Sequence, residues 1–569
     1  MKRQTILAAF AGLGLLVAGC NSGSSSQTGS RMVVSADNAR LLDGMGDWRV
    51  MLSGIDRDHG RNIEAAAYFD QAMVLCYAFN HDEAIRSFAK CAELVPENPM
   101  PWWGIALASG MHINNPVMSA QQTEQAHYAL AQAKIRLAGA GLLHKKLVAA
   151  LDVRYSKLQG SSSLSNDAGY AAAMKAVHAE HPDDADVAAL YAESIMNTTP
   201  WNYWMVEGKP AAGTEDLRPL LESSLGRWPS HPGLNHLYIH LMESSPTPEV
   251  AAGAADRLRE MVPGAGHLVH MPSHIDIRLG EWSKAAVANR KAVMADASYL
   301  RVAPRPGFYA VYAAHNHHFL GWTCMMQGRL GEALTANDGL VASIPAEVVA
   351  AQPEFVDPFF SLEADILKRF GRWEEILVLP KPNGNLVLAT AMWHFNRGVA
   401  LASLKRFGEA ELELAKVKEL RGKVPGGRVI VVSPAERMFD IAENMLAGEI
   451  AFQQGNLTDA IRLLEVAVQA EDSLMYMEPP EWLQPVRHAL GAVHLKAGEL
   501  KKAEEVYRTD LVRWPGNAWS LHGLWQSLEA QGSPEAPAIR KRFEQAWRDA
   551  DVTITASCKC AEAVAARKE

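Results

Sequence analysis

Apolar and small residues along this chain fall into short helical stretches that come in pairs, and the pairs share a spacing. The clearest runs from about 65 to 98. Its second half, Asn80-His-Asp-Glu-Ala84-Ile-Arg-Ser-Phe88-Ala-Lys-Cys91-Ala-Glu-Leu-Val-Pro96, carries a small residue at 84, an aromatic at 88, a small residue at 91 and a proline at 96. Small side chains are needed where two paired helices approach closely, and the proline stops the second helix. Matching units begin at 99 (Trp102), 232 (Ala251, Pro263), 266 (Gly280, Ala285), 314 (Gly321, Ala333, Pro345), 391 (Gly398, Ala410), 441 (Gly448, Ala460) and 484 (Gly491, Ala503, Pro515). A period repeated at this many places predicts an all-α array of stacked helix pairs.

The spacing is similar to that of tetratricopeptide repeats (TPR), and the resemblance implies a TPR-like helical solenoid. Three segments interrupt it: 199–214, 298–309 and 378–386. Insertions in such arrays often edge a binding site. The expected division is a histidine-rich repeat region over 46–377, C-terminal repeats over 387–533, and a cap over 534–569 that covers the last apolar face.

The first twenty residues read differently. Lys2 and Arg3 precede an apolar run, Ile6 to Val17, that is too short to span a bilayer and ends in Val17-Ala18-Gly19-Cys20. That ending resembles the lipobox of bacterial lipoproteins. The resemblance implies that 1–20 is a signal peptide, that Cys20 is lipidated, and that the chain is anchored in the cell envelope. By resemblance to lipoprotein sorting rules in some bacteria, Asn21 after the lipid implies the outer membrane, facing the periplasm. Residues 21–45 begin with a serine- and glycine-rich stretch, expected to be a flexible tether.

Composition narrows the partners. A net charge of −9 over 569 residues, with no basic block, argues against nucleic acid. Besides Cys20 there are Cys76, Cys91, Cys324, Cys558 and Cys560, an odd number with no regular framework. Cys558-Lys-Cys560 is left to pair with itself, to bind a soft metal, or to stay as two tail thiols.

Candidate chemistry lies in the histidines. Eight of the twenty fall between 236 and 318. His236 and His240 occupy positions 5 and 9 of one repeat unit, His267, His270 and His274 positions 2, 5 and 9 of the next, and His315 and His318 positions 2 and 5 of a third. These positions form one stripe on a helix, and in TPR proteins that stripe lines the inner, concave face. Imidazoles there suit zinc, copper, nickel or iron. Glu243 lies on the same face as His236 and His240, as a further ligand or a general base. His-Leu-Tyr-Ile-His lacks the glutamate of the zinc-protease helix, so that chemistry is not supported. Pro272, between His270 and His274, predicts a local kink.

Several stretches resemble a family of exported bacterial TPR proteins: Tyr77 to Phe88, Trp102-Trp-Gly-Ile-Ala106, Pro200-Trp-Asn-Tyr-Trp204, His236-Leu-Tyr-Ile-His240, Gly264 to His274 and His315-Asn-His-His-Phe-Leu320. The resemblance implies export and fold and names no reaction. Two functions stay open. One is a membrane-anchored scaffold with a histidine-lined site for a transition metal or small ligand. The other is a protein–protein interaction scaffold in which the histidines are structural and a peptide occupies the groove. A ligand cleft edged by Trp102, Trp103, Trp201, Tyr203 and Trp204 is a third idea. No nucleophile motif or phosphate loop is present, so an enzyme reading rests on the histidines alone.

Overall fold

The computed structural model describes residues 34–157, 165–205, 208–303, 307–351 and 353–561. The signal segment, Cys20 and the first part of the tether lie outside the described residues. Helices dominate, and the two short strands described, Val429–Ile430 and Ser433–Pro434, pair only with each other. No described helix is long and apolar enough to cross a membrane. The chain is an all-α, TPR-like succession of helix hairpins divided into two compact units. The described parts of one are 34–275 and 290–313; those of the other are 276–289 and 314–561.

In the first unit, successive hairpins pair Arg61–Tyr77 with His81–Leu94, Met100–Ala108 with Ala120–Lys134, Leu142–Tyr155 with Asp167–Glu180, and Ala185–Met196 with Thr214–Arg227. Ala84, Phe88 and Cys91 are fully buried, as their spacing requires. The reason for small residues is visible at Gly104, where a Cβ would lie 2.4 Å from the Phe88 ring. Polar caps start the helices: the side chains of Asn80, Asn166, Asp184 and His231 each accept a backbone N–H of the first turn.

The second unit repeats the plan with Val387–Ser403 and Phe407–Arg421, Ala435–Gln453 and Leu457–Asp472, Val486–Lys496 and Leu500–Arg513, then Ala518–Ala530 and Ala536–Ala546. Buried Asp357 caps Val387–Ser403, accepting from the N–H groups of Leu388 (2.8 Å) and Ala389 (2.7 Å) and pairing with Arg428 at 2.9 Å. Near the C-terminus Cys558 and Cys560 form a disulfide, while Cys76, Cys91 and Cys324 are free and buried.

One turn recurs between paired helices. The first helix ends, one residue takes a left-handed conformation, and the next N–H reaches back to a carbonyl five residues earlier: Asn456 to Ala451, Glu499 to His494 and Ser533 to Leu528, each at 2.9 Å. The left-handed residues there are Gly455, Gly498 and Gly532, since only glycine adopts that conformation without a Cβ penalty. Two turns break the rule. Lys405 (φ 62°) does so at the surface, and Phe79 (φ 57°) does so with its ring 3% exposed. The Phe79 turn keeps the same bond, Asn80 N–H to Leu75 at 2.9 Å.

Candidate metal centre

Phe79 projects its ring into a cluster of histidines in the first unit. The ring centroid lies 4.3 Å from that of His112, stacked, 4.5 Å from His236, 5.5 Å from His267 and 6.1 Å from His240. His81 packs edge-on against His112 at 4.6 Å. A bulky side chain in the left-handed region costs about 1–2 kcal/mol, and such strain persists only where surroundings hold it. Here the surroundings are imidazoles and the Tyr312 ring, 6.5 Å away.

His236 and His240 lie one turn apart on the Pro232–Met242 helix, and His267 lies on Gly266–His270. The three are buried, and one ring nitrogen from each lies within 4.8 Å of the others. Proline 272 divides this region: Gly266–His270 and Pro272–Arg278 are separate short helices, as a residue lacking an amide hydrogen demands.

The protonation pattern follows from the partners. His236 Nδ1 lies 2.6 Å from the carbonyl oxygen of Tyr77. A carbonyl only accepts, so Nδ1 carries the hydrogen and Nε2 keeps a lone pair. His240 Nδ1 lies 3.2 Å from Glu243 Oε1, which by the same logic leaves its Nε2 with a lone pair. Both Nε2 atoms are buried without a hydrogen-bond partner among the described residues. Two buried acceptors with no donor are costly in a dry site. A cation at that point would satisfy both.

Glu243 serves two imidazoles. Its second oxygen lies 3.0 Å from His274 Nδ1, His274 Nε2 lies 2.8 Å from His270 Nε2, and His270 Nδ1 lies 3.4 Å from Ser273 Oγ. One consistent order runs through this chain: Ser273 donates to His270, His270 to His274, and His274 to Glu243. Glu243 is not among the groups that converge with His236, His240 and His267; it stands behind them. A carboxylate behind a ligating imidazole fixes ring and tautomer and raises basicity.

Burial disfavours the charged form of three of the rings, His236, His112 and His81. Burial, then the neighbouring His240, depresses His236 far below the ordinary histidine range. Burial, with His81 and His236 nearby, does the same to His112, and burial lowers His81 to about 4. Burial works against the charge on Glu243, yet His274 and His240 together hold its carboxyl below the usual range.

His315 and His318 belong to the second unit, on the Ala310–Met326 helix. There His318 meets Phe359 edge-on at 5.4 Å and burial lowers it to about 4. Of the five aromatic residues offered as a cleft edge, Trp103 and Tyr203 are buried and Trp102, Trp201 and Trp204 are half-buried. Trp103 donates to the Leu147 carbonyl at 3.2 Å, and Trp204 donates to the Leu241 carbonyl at 2.6 Å. Phe79, His81 and His112 were not singled out from sequence. His112 sits in a short bridge with Asn115, between two helices and off the histidine stripe. For Phe79 a signal exists: an aromatic stands where the repeat turn calls for glycine.

No family model matches the chain, and no curated protein matches it. Solved structures with related helical arrangements include the human IFIT1 dimer with m7Gppp-AAAA, at 13% identity, covering 87% of this chain and 91% of that one, with a TM-score of 0.31. Yeast Tom70 matches at 11% identity over 84% of this chain and 92% of its own, with a TM-score of 0.30. The APC/C hetero-tetramer Cut9–Hcn1 matches at 14% identity over 87% and 78%, also with a TM-score of 0.30. Superpositions this loose carry nothing about what the chain binds.

Proposed function

We propose that this chain is an exported, lipid-anchored helical scaffold of the bacterial cell envelope that holds a transition-metal ion on His236, His240 and His267. The observation that carries the reading is the pair of buried Nε2 lone pairs, on His236 and His240. Each is fixed by an acceptor at the opposite nitrogen, and each lies beside a third imidazole. A donor set of neutral imidazoles suits zinc, copper, nickel or iron, and Glu243 supplies the orienting carboxylate that such ligands usually have. The anchor rests on Lys2, Arg3, the short apolar run and Cys20.

The test is elemental analysis of the mature chain with Cys20 replaced and no histidine tag, followed by titration with Zn²⁺, Cu²⁺, Ni²⁺ and Fe²⁺. One equivalent of metal, lost in His240→Ala with helicity retained, is expected. A folded protein that carries none of these ions and takes up none overturns the metal reading and leaves the interaction scaffold. The anchor is tested separately by fatty-acid labelling in cells, which Cys20→Ala abolishes if the lipobox is used.

A further inference from the structure

The second unit holds another convergence of ligand atoms, built from the C-terminal segment and the Ala435–Gln453 helix. Glu449 on that helix is 1% exposed, and Cys558 and Cys560 are 5% and 4% exposed. One ligand atom from each lies within 4.8 Å of the others, and Cys558 Sγ is 3.9 Å from Glu449 Oε1. The other carboxylate oxygen, Glu449 Oε2, is buried with no hydrogen-bond partner among the described residues. A disulfide sulfur has no hydrogen to offer it. The ammonium of the nearby Lys368 is directed to Asp365 at 3.4 Å and stands over the Phe395 ring at 4.6 Å. The carboxylate therefore has acceptor capacity that the oxidised site leaves unused, and a buried group in that state is costly.

We propose that Cys558, Cys560 and Glu449 form a redox-gated site that takes a thiophilic divalent cation, zinc above all, once the disulfide is reduced. A dithiol supplies two electrons and two protons. Its own sulfurs join as a disulfide while the Cys558–Cys560 bond breaks to two thiols. Cation binding then releases both thiol protons, and any proton on the Glu449 carboxyl, to solvent and forms two sulfur–metal bonds and one oxygen–metal bond. The backbone permits both states. The two Cα atoms are 5.3 Å apart, and tetrahedral zinc with bonds of about 2.3 Å to sulfur needs the two sulfurs about 3.7 Å apart. Two thiolates and a carboxylate are zinc ligands, and thiolates select soft metals over calcium or magnesium.

The segment that carries the cysteines is tied down on both sides of the pair. Ser557 Oγ donates to the His488 carbonyl at 2.8 Å, so the Tyr507 hydroxyl, 2.6 Å away, must donate to Ser557. Gln453 Nε2 donates to the Cys560 carbonyl at 2.5 Å. None of these bonds involves the sulfurs, so reduction leaves the backbone that carries them in place.

Cobalt distinguishes this site from the histidine cluster, because only thiolate ligation gives an intense near-ultraviolet sulfur-to-metal band. The full mature chain is reduced with excess dithiol, freed of it anaerobically, and titrated with Co²⁺ and then Zn²⁺. Expected are one equivalent of cobalt with that band, its displacement by zinc, and no band in the oxidised protein. Cys558→Ser with Cys560→Ser removes the band, and Glu449→Gln weakens cobalt binding by at least about tenfold, since even residues behind the ligands contribute that much. A band that survives the double serine variant would come from the other cysteines and overturns the site. So does an unchanged affinity in Glu449→Gln, or reduced protein that stays folded without a band. Should reduction unfold the chain, protein made in a reducing cytoplasm must contain one more zinc than the double serine variant. Equal zinc contents overturn the proposal.

Discussion

Replacing Glu243 by glutamine separates orientation of the histidine site from folding. The carboxylate accepts from His240 on one oxygen and from His274 on the other. Glutamine can still accept from His240, but its amide must donate where the second oxygen accepted. The relay accommodates this by reversing: His274 accepts at Nδ1 and donates from Nε2 to His270, which donates to Ser273. Every hydrogen bond survives, so folded stability near neutral pH should change by no more than about 1 kcal/mol. What is lost is the negative charge behind His240. Such partners contribute 10–100-fold in metal affinity, which corresponds to about 1.4–2.8 kcal/mol. Zinc affinity, measured by competition with a chromophoric chelator, should fall by that factor while the circular dichroism spectrum and urea midpoint hold. Glu243→Ala, which strands two imidazoles, should lower stability by about 2–5 kcal/mol as well. Zinc affinity in Glu243→Gln equal to that of the parent chain would refute the role given to this carboxylate.

Acid should destabilise the apo protein in two stages. His81 is depressed by burial to about 4, so below the unfolded value near 6.5 the unfolded chain binds a proton that the folded one refuses. Stability falls across that window, by about 3 kcal/mol for this residue, and His81→Asn should flatten the slope of urea midpoint against pH. Glu243, held below its ordinary value, contributes stability that is present above about 4.5 and is lost on further acidification; Glu243→Gln should lack that second stage. Lys405→Gly should stabilise the chain by about 1 kcal/mol by relieving a left-handed lysine. Phe79→Gly should destabilise it by about 2–4 kcal/mol, because ring packing of about 3–5 kcal/mol outweighs the same relief; a stabilised Phe79→Gly would mean that the ring is not held by the histidines. Asp357→Ala should cost about 3–5 kcal/mol in urea denaturation, since it uncaps a helix and leaves Arg428 buried without its partner.

What the sequence made legible was local or nearly so. Ala84, Phe88 and Cys91 report on one hairpin, and their spacing follows from how two helices touch. His236 and His240 share a helical face because they are four residues apart, and Pro272 divides a helix wherever it stands. The relation of His267 to that pair depends on one neighbouring helix. The rest depends on contacts that no spacing encodes. Phe79 stands out in the sequence only as an aromatic at a turn that calls for glycine, with nothing to say what its ring meets; His112 arrives from a loop, and Glu243 could be given ligand or base roles because its two hydrogen-bond partners lie on different helices. The division into two units, with His315 and His318 in the second, is likewise a property of packing and not of the repeat.

Phe79 also bears on the order in which the chain folds. A glycine at this turn would let the Arg61–Tyr77 and His81–Leu94 helices close on each other as soon as both exist. With phenylalanine the turn opposes closure locally, and the compensating contacts come from residues 112, 236 and 267, far along the chain. The first hairpin is thus tied to the arrival of distant segments, a local conflict settled only by the complete unit. A chain is made from its N-terminal end, so this hairpin is expected to close late despite coming first, with the cluster of imidazoles forming in the same step.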